Sequence, residues 1–316
     1  MEVQSLGEFA GVRRIKLFLA LSRTPHGLLD LATPAQAALL ALGSFPDVGV
    51  ILLGLISAFA GYTAVYALND LVDYRSDREK LSKMGESGSA IKDVDAVFIR
   101  HPMAQGLISV WQAVAWALGW ALVSFLGAYS LRPICAVIFL VACCLEAVYC
   151  ALLRISYLRT LVSGLVKCSG ALAAVLAVDP DPNPLFVAHL FLWLFLWEIG
   201  GQNVPNDWSD LQEDQSLSAR TLPVELGPQK AAWVVMVCLC SSALLGSCLY
   251  WSTPGSLSPI FHLGALGAAW FLLIRPAAML FKQRTLEAAA HLFNKASYYP
   301  LAMLASILAG IIFGSQ

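Results

Sequence analysis

Two segments of the sequence repeat the same spacing of amide and acidic side chains. The first, 69–77, reads NDLVDYRSD, and the second, 206–214, reads NDWSDLQED. In both, three aspartates stand at positions i, i+3 and i+7, which lie on one face of a helix. The six aspartates are Asp70, Asp73, Asp77, Asp207, Asp210 and Asp214. Carboxylates stacked in this way repel one another unless a cation lies between them, and hard oxygen ligands of this kind suit Mg²⁺.

A pair of such clusters indicates a particular kind of ligand. Mg²⁺ in proteins keeps several waters and is usually shared between one or two carboxylates and the phosphates of a substrate. Two facing clusters therefore predict a diphosphate that metal ions clamp between them. The alternative is a solvated acidic cap on two loops, and the repetition of the pattern argues against it.

The elements that carry the two motifs are predicted to be membrane-spanning helices. The chain has 316 residues, of which 58% are hydrophobic and 13% are charged, and its mean hydropathy is +0.70. A helix that crosses a bilayer needs roughly 20 mainly apolar residues. About nine windows meet this requirement, at 24–45, 48–68, 107–131, 133–153, 160–178, 184–204, 231–251, 256–274 and 288–314. The sequence thus predicts an all-α integral membrane protein with nine transmembrane helices.

The positions of the motifs indicate an internal duplication. They follow predicted spans two and six, and an arginine and a proline come after each, in RHP and RTLP respectively. Two motifs that are four spans apart predict a four-helix repeat followed by a ninth helix. We expect one membrane-embedded domain over 1–316, with repeat halves at about 24–153 and 160–274 and the ninth helix at 288–314.

The charged residues predict the orientation of the chain and exclude one class of partner. Twenty Lys and Arg stand against 21 Asp and Glu, so no overall basic field favours nucleic acid. With nine spans and a cytoplasmic N-terminus, Arg132 is the only basic loop residue on the outer side. This arrangement places both acidic segments in the cytoplasm and the C-terminus outside.

The paired motifs on nine apolar spans resemble the UbiA superfamily of intramembrane prenyltransferases. The first motif matches the superfamily's N-D-x-x-D-x-x-x-D in full, and Asp210 with Asp214 match its D-x-x-x-D. Looser similarity covers Arg23 before span one, Tyr149 at the end of span four, and 293–297 at the start of span nine. The resemblance implies a helical bundle around a central cavity, a polyprenyl diphosphate bound through Mg²⁺, and transfer of the prenyl group to a lipophilic, usually aromatic, acceptor.

The resemblance also implies roles for individual residues. Metal binding is expected of all six motif aspartates, with catalysis assigned to Asp70, Asp73, Asp210 and Asp214. The residues expected to contact the diphosphate are Asn69, Asn206, Arg23, Arg100 and Arg220, since Arg offers a forked set of donors to phosphate oxygens. The candidates for an acceptor or cation pocket are Tyr149, Glu198, Lys167 and Asn294. Mg²⁺ is the expected cofactor, with Mn²⁺ as a substitute, and membrane lipid is an expected partner.

Several alternatives stay open at this point. The same diphosphate site without an acceptor would make a terpene synthase, whose allylic cation cyclises or loses a proton. A divalent-cation transporter is more remote, because the acidic residues lie at the ends of spans. Charged residues inside spans need partners, and Glu146 and Lys167 could form such a pair. The polar stretch 78–99 is either a lid over the diphosphate or a solvated loop.

Overall fold

Long apolar runs that begin at capping residues or prolines determine the helices of the protein. A computed structural model describes residues 14–84, 99–255 and 257–314. The helices before the second motif are α1 (14–21), α2 (Thr24–Asp30), α3 (Ala32–Leu42), α4 (Val48–Met84), α5 (Val110–Leu131), α6 (Pro133–Ala151), α7 (Arg159–Val178) and α8 (Pro184–Trp197). The later helices are α9 (Val204–Ser209), α10 (Leu211–Ser216), α11 (Leu222–Ser252), α12 (Ile260–Ala269), α13 (Arg275–Gln283), α14 (Leu286–Ser297) and α15 (Tyr299–Ile312). Within the described ranges the fold is all-α, as predicted.

Eight helical segments of the described chain are long and apolar enough to cross a membrane, where the sequence predicted nine. The difference is the predicted first span, 24–45, which forms the two short helices α2 and α3. Pro34 has no N–H to donate to the carbonyl of Asp30, and the hydroxyl of Thr33 donates to that carbonyl instead, at 2.8 Å. The helix therefore breaks at Leu31. The predicted four-helix repeat stays a prediction.

The outer surface of the long helices is apolar. Large hydrophobic side chains are exposed along them, among them Trp111, Leu122, Leu140, Leu185 and Leu263. Water-soluble proteins rarely expose apolar patches of this extent, because such surface is unfavourable in water. The outer surface thus matches the hydrocarbon of a bilayer.

A cavity of about 630 Å³ lies inside the bundle. Its lining comes from α1 to α7, from the segment between Glu198 and α10, and from α14 and α15. Beside it, α8 packs against α11 around buried aromatic residues such as Trp193 and Trp197. Along α4 the lining runs from Val50 to Lys80, which at about 1.5 Å per residue is about 45 Å. The cavity is therefore longer than the roughly 30 Å hydrocarbon core of a bilayer.

The two motifs sit on backbone of different regularity. The first lies on the continuous helix α4, as predicted. The second was predicted on one helix, but α8 passes into a π-helical segment, Glu198–Asn203, and Asp210 (φ −97°, ψ 15°) then separates α9 from α10. Pro205 cannot donate a hydrogen bond to the carbonyl of Gly201, and the wider π turn accommodates the missing bond.

Candidate active site

The two acidic motifs face the same end of the cavity, which we call the acidic end. All six motif aspartates line it, together with Asn69 and Asn206. Four of the six aspartates are at most 6% exposed; they are Asp70, Asp77, Asp207 and Asp214. So many buried carboxylates are unfavourable without cations or hydrogen-bond donors between them.

Arg23 and an amide hold the beginning of the first motif. Arg23 Nη2 donates to Asn69 Oδ1 at 3.2 Å and lies 3.6 Å from Asp70 Oδ1. On its other side, Asn69 Nδ2 donates to Glu146 Oε1 at 2.6 Å. Asn69 thus connects α4 to α6 and to the residue that precedes α2, and it orients Arg23 towards the acidic end.

A histidine joins the carboxylates of the first motif. Asp70, Asp77 and His101 each offer one ligand atom, and these atoms lie within 4.8 Å of one another. His101 Nδ1 is 2.9 Å from Asp77 Oδ2 without the angles of a hydrogen bond. Two neighbouring ligands of an octahedral ion, with bonds of about 2.1 Å, are separated by about 3.0 Å. The three side chains therefore fit a divalent cation.

The second motif lies beside a buried arginine. Arg159 Nη1 is 3.9 Å from Asp207 Oδ1, and the guanidinium lies 4.0 Å from the centroid of the Tyr149 ring. The Tyr149 hydroxyl in turn accepts a hydrogen bond from Asn203 Nδ2 at 2.9 Å. Among the buried atoms here without a hydrogen-bond partner in the described structure are two carboxylate oxygens, Asp207 Oδ2 and Asp210 Oδ1, and one guanidinium nitrogen, Arg159 Nε. The oxygens are free to bind a cation, and the nitrogen is free to bind an anion.

Two cationic side chains connect the motifs. Arg100 Nη2 donates to Asp210 Oδ2 at 3.4 Å, and Lys80 Nζ lies 3.9 Å from Asp214 Oδ1. Both cations follow the first motif in the chain, and both carboxylates belong to the second. Burial and repulsion by Asp207 raise the pKa of Asp214 to about 7. A divalent cation at this position would favour the charged carboxylate and lower that pKa.

The structure does not bring every predicted residue to the cavity. Arg220 is half exposed, donates to Glu225 Oε1 at 2.6 Å and to the carbonyl of Ile155 at 3.1 Å, and is not among the lining residues. Its predicted contact with a diphosphate is therefore not supported by its position. Asn294 also lies outside the lining, although its neighbour Phe293 belongs to it.

Three basic side chains at the acidic end were not predicted as parts of the site, namely Lys80, His101 and Arg159. The helical spacing contained a signal for Lys80, which follows Asp77 by three residues and so shares its face of α4. The unusual RHP sequence after the first motif was a signal for His101. In the sequence, Arg159 is one of the basic residues between predicted spans, which bear on the orientation of the chain.

Deeper in the cavity, Lys167 and Glu198 both line the wall, and their part in an acceptor or cation pocket stays a prediction. The proposed pair of Glu146 with Lys167 is wrong. Lys167 Nζ instead donates to Asp30 Oδ2 at 2.8 Å, while Glu146 accepts from Asn69. Asp30 comes from the break between α2 and α3, so the broken helix supplies the counter-ion.

Comparisons with known proteins agree with this architecture. The sequence profile of the UbiA prenyltransferase family matches residues 31–307. The 4-hydroxybenzoate octaprenyltransferase of Burkholderia mallei (strain NCTC 10247) is 26% identical over 236 residues, which are 74% of this chain and 75% of that protein. An apo UbiA homologue from Aeropyrum pernix K1 has a TM-score of 0.69 at 19% identity, covering 92% of this chain and 98% of that one. A UbiA homologue from Archaeoglobus fulgidus bound to DMAPP and Mg²⁺ has a TM-score of 0.61 at 17% identity, covering 91% and 99%.

The family match extends over most of the chain, and the fold is shared along nearly the whole length of the solved structures. The protein is a prenyltransferase and an integral, multi-pass membrane protein. This assignment replaces the cation-transporter alternative. The chain belongs to the UbiA prenyltransferase family.

Proposed function

We propose that the protein ionises a polyprenyl diphosphate at the acidic end and transfers the prenyl group to a lipophilic, aromatic acceptor. The observation that carries this proposal is the meeting of both acidic motifs at one end of a long, otherwise mainly apolar cavity. The Archaeoglobus homologue, which binds DMAPP and Mg²⁺, supports the class of donor. The Burkholderia relative, which is named for 4-hydroxybenzoate, supports an aromatic acceptor.

The residues at the acidic end fit Mg²⁺, with Mn²⁺ as a substitute. Asp70, Asp77 and His101 offer one group of ligands, and the unpartnered oxygens of Asp207 and Asp210 offer another. We assign Asp73 and Asp214 to the same metal-binding region, since both line it. A bound metal ion would take up negative charge that develops on the leaving diphosphate.

The cationic side chains of the protein have a complementary role. Arg23, Arg100, Arg159 and Lys80 surround the acidic end and donate to the diphosphate oxygens, while Asn69 holds Arg23 in place. During ionisation the bond between the prenyl carbon C1 and the diphosphate oxygen breaks, and its electron pair stays on the diphosphate. These donors stabilise that charge more strongly in the transition state than in the bound substrate.

The apolar part of the cavity binds the prenyl chain. Its wall includes Ile51, Leu55, Ile138, Phe139 and Leu308. An apolar wall excludes water from the allylic cation, which water would otherwise quench to an alcohol. Aromatic faces such as that of Phe139 also stabilise positive charge.

Product analysis tests the proposed function. Purified protein in lipid nanodiscs is incubated with Mg²⁺ and geranyl, farnesyl or geranylgeranyl diphosphate, with and without membrane lipid extract. We expect diphosphate release together with a prenylated product that forms only with the extract. A cyclised or deprotonated hydrocarbon that forms equally well without extract would instead identify a terpene synthase.

We also propose that the N-terminus and the acidic end face the cytoplasm and that the C-terminus lies outside. The basis is the distribution of Lys and Arg between loops, with Arg132 alone outside. The test uses a variant in which Ser216→Cys supplies the one cysteine of the chain. In intact cells, a thiol reagent that cannot cross the membrane should not label this cysteine. Labelling of that cysteine from outside would contradict this orientation.

Two arginines provide a matched pair of variants. Arg159→Lys is expected to lower kcat/KM for the prenyl diphosphate by roughly 10- to 150-fold, because lysine keeps the charge but loses the planar fork and a charged hydrogen bond worth about 1.5–3 kcal/mol. Arg220→Lys is expected to stay within about twofold of wild type, since Arg220 contacts Glu225 at the surface. Steady-state kinetics measures kcat/KM for both variants. A larger loss of kcat/KM in Arg220→Lys than in Arg159→Lys would show that Arg220, and not Arg159, contacts the diphosphate.

A further inference from the structure

A group of polar side chains interrupts the apolar wall of the cavity below the acidic end. Lys167 Nζ donates to Asp30 Oδ2 at 2.8 Å and lies 3.7 Å from Glu198 Oε2. The Tyr66 hydroxyl donates to the same oxygen of Asp30, and Ser163 Oγ donates to Glu198 Oε1 at 2.7 Å. We call these five residues the inner polar cluster. All of them except Asp30 line the cavity.

The inner polar cluster lies within reach of the acidic end. Tyr66 precedes Asp70 by one helical turn, which is about 6 Å along α4. Glu198 precedes Asp207 by two to three turns, which is about 13 Å along the same continuous helical path. A molecule bound at the cluster therefore lies between the acidic end and the apolar part of the cavity, next to the position of the prenyl carbon that reacts.

One buried carboxylate oxygen of the cluster, on a residue that lines the cavity, has no hydrogen-bond donor among the described residues. Glu198 is 5% exposed, and its Oε2 has no hydrogen-bond partner in the described structure. Its nearest charged group, Lys167 Nζ, is too distant for a hydrogen bond and is already bound to Asp30. A buried carboxylate oxygen without a donor is unfavourable, so this oxygen is suited to a ligand that donates a hydrogen bond.

An aromatic surface lies next to the cluster. His26 packs on the ring of Phe293 with centroids 5.5 Å apart and an interplanar angle of 18°, and it forms a T-shaped contact with the ring of Tyr66. All three rings belong to residues that line the cavity. His26 Nδ1 is a second buried atom without a hydrogen-bond partner. Flat faces combined with polar edges favour an aromatic ligand.

The charge of the cluster selects among aromatic ligands. Two carboxylates, of Asp30 and Glu198, face one ammonium, of Lys167, so the cluster carries one net negative charge when both carboxylates are ionised and His26 is neutral. A ligand carboxylate at this depth would meet that charge in a medium of low dielectric constant, where repulsion is strong. A hydroxyl group would instead donate to Glu198 Oε2.

We propose that the inner polar cluster binds the hydroxyl group of an uncharged aromatic acceptor and excludes acceptors that carry a carboxylate. This inference rests on the proposed function and specifies the class of its acceptor. In the transfer step, the C1–O bond breaks with its electron pair on the diphosphate, and a ring carbon ortho to the hydroxyl forms the new bond to C1. The proton of that ring carbon leaves to the released diphosphate. The hydrogen bond to Glu198 increases the electron density of the attacking ring.

Two small acceptors that differ in one group test the inference. The wild-type protein in nanodiscs is supplied with Mg²⁺, geranyl diphosphate and either hydroquinone or 4-hydroxybenzoate, in which a carboxylate replaces the second hydroxyl. Prenylated products are quantified by mass spectrometry, and released diphosphate is measured in parallel. We expect kcat/KM to be at least about tenfold higher for hydroquinone, since like charges inside an interface strongly disfavour binding.

Glu198→Gln separates charge from shape, because glutamine keeps the size and an acceptor oxygen but removes the negative charge. We expect this variant to lower the preference for hydroquinone at least about tenfold. The matched control is Glu287→Gln, an exposed position at the start of α14, which should keep the wild-type preference. Equal or better use of 4-hydroxybenzoate by the wild type, or an unchanged preference in Glu198→Gln, would overturn the inference.

The parallel measurement of released diphosphate distinguishes failure of the acceptor inference from failure of the proposed function. Diphosphate release or binding of geranyl diphosphate without prenylation of either acceptor would contradict the acceptor inference and leave the diphosphate site standing. A wild-type protein that neither binds nor cleaves any of the three prenyl diphosphates would contradict the proposed function itself.

Discussion

Excess chelator is expected to abolish prenyl transfer, and Asp70→Asn is expected to lower kcat roughly a thousandfold or more. Asp70 is 4% exposed and shares a group of ligand atoms with Asp77 and His101. Metal ions contribute several kcal/mol to the stabilisation of charge in a transition state, and each 1.36 kcal/mol corresponds to about a factor of ten. The measurement is product formation at saturating prenyl diphosphate, with Mg²⁺ added back after the chelator.

Metal binding supplies a second readout that does not depend on turnover. With Mn²⁺ as the probe, nitrogen coupling in the electron paramagnetic resonance spectrum should be present in the wild type and absent in His101→Gln. Asp181→Asn is the matched control for Asp70→Asn. Asp181 is exposed and follows the last residue of α7, at the end of that helix opposite Arg159. Full activity in excess chelator would contradict metal dependence.

Lys167→Met is expected to destabilise the folded protein by about 3–5 kcal/mol. This change leaves Asp30, which is 2% exposed, and Glu198 without their shared cation, and an uncompensated buried charge carries a cost of that size. Methionine preserves the length and most of the volume of the side chain, so packing alone contributes little. Reversible unfolding in detergent micelles, followed by circular dichroism, measures the change.

A second substitution distinguishes charge from packing in this experiment. Adding Asp30→Asn to Lys167→Met removes one of the two unpaired carboxylates, and we expect it to restore a large part of the lost stability. Lys282→Met, on an exposed position of α13, serves as the control for loss of a lysine. Equal stability of Lys167→Met and the wild type would show that the buried ion pair contributes nothing to folding.

The first acidic motif was predictable because it requires only a regular spacing of aspartates and a continuous helix, and both are local properties of the sequence. Helical spacing alone places Asp70, Asp73 and Asp77 on one face, and α4 is continuous through all three. The resemblance to the family added the cavity and the expected roles. Arg220 shows where local reasoning fails: it matches Arg100 in sequence, but it is bound to Glu225 and to the backbone of Ile155 at the surface.

Other features depend on tertiary structure and left little trace in the sequence. Lys167 pairs with Asp30, which lies where α2 ends and the chain turns into α3. Hydropathy predicted one span for these two helices, because a window of about 18 to 20 residues does not detect a single missing hydrogen bond. In the sequence, Arg159 resembles other basic residues near the ends of spans, and only the structure shows that it is buried beside Tyr149 and Asp207. His101 became a candidate ligand only when its distance from Asp77 was known.

The π-helical segment Glu198–Asn203 also matters for how insertions and deletions affect the enzyme. Such a segment is equivalent to one extra residue in an α-helix, and each residue rotates the helix by about 100°. Because the π turn is wider, its six residues advance about as far around the helix axis as five residues of an α-helix. Deleting one residue inside the segment would therefore let it return to an α-helix and leave Asp207 facing the cavity. Deleting one residue from α8 would instead turn Asp207 by about 100° and point its carboxylate away from the cavity, although every motif letter stayed in the sequence. The segment is thus the place on this path where the chain can change its length without misdirecting the second motif.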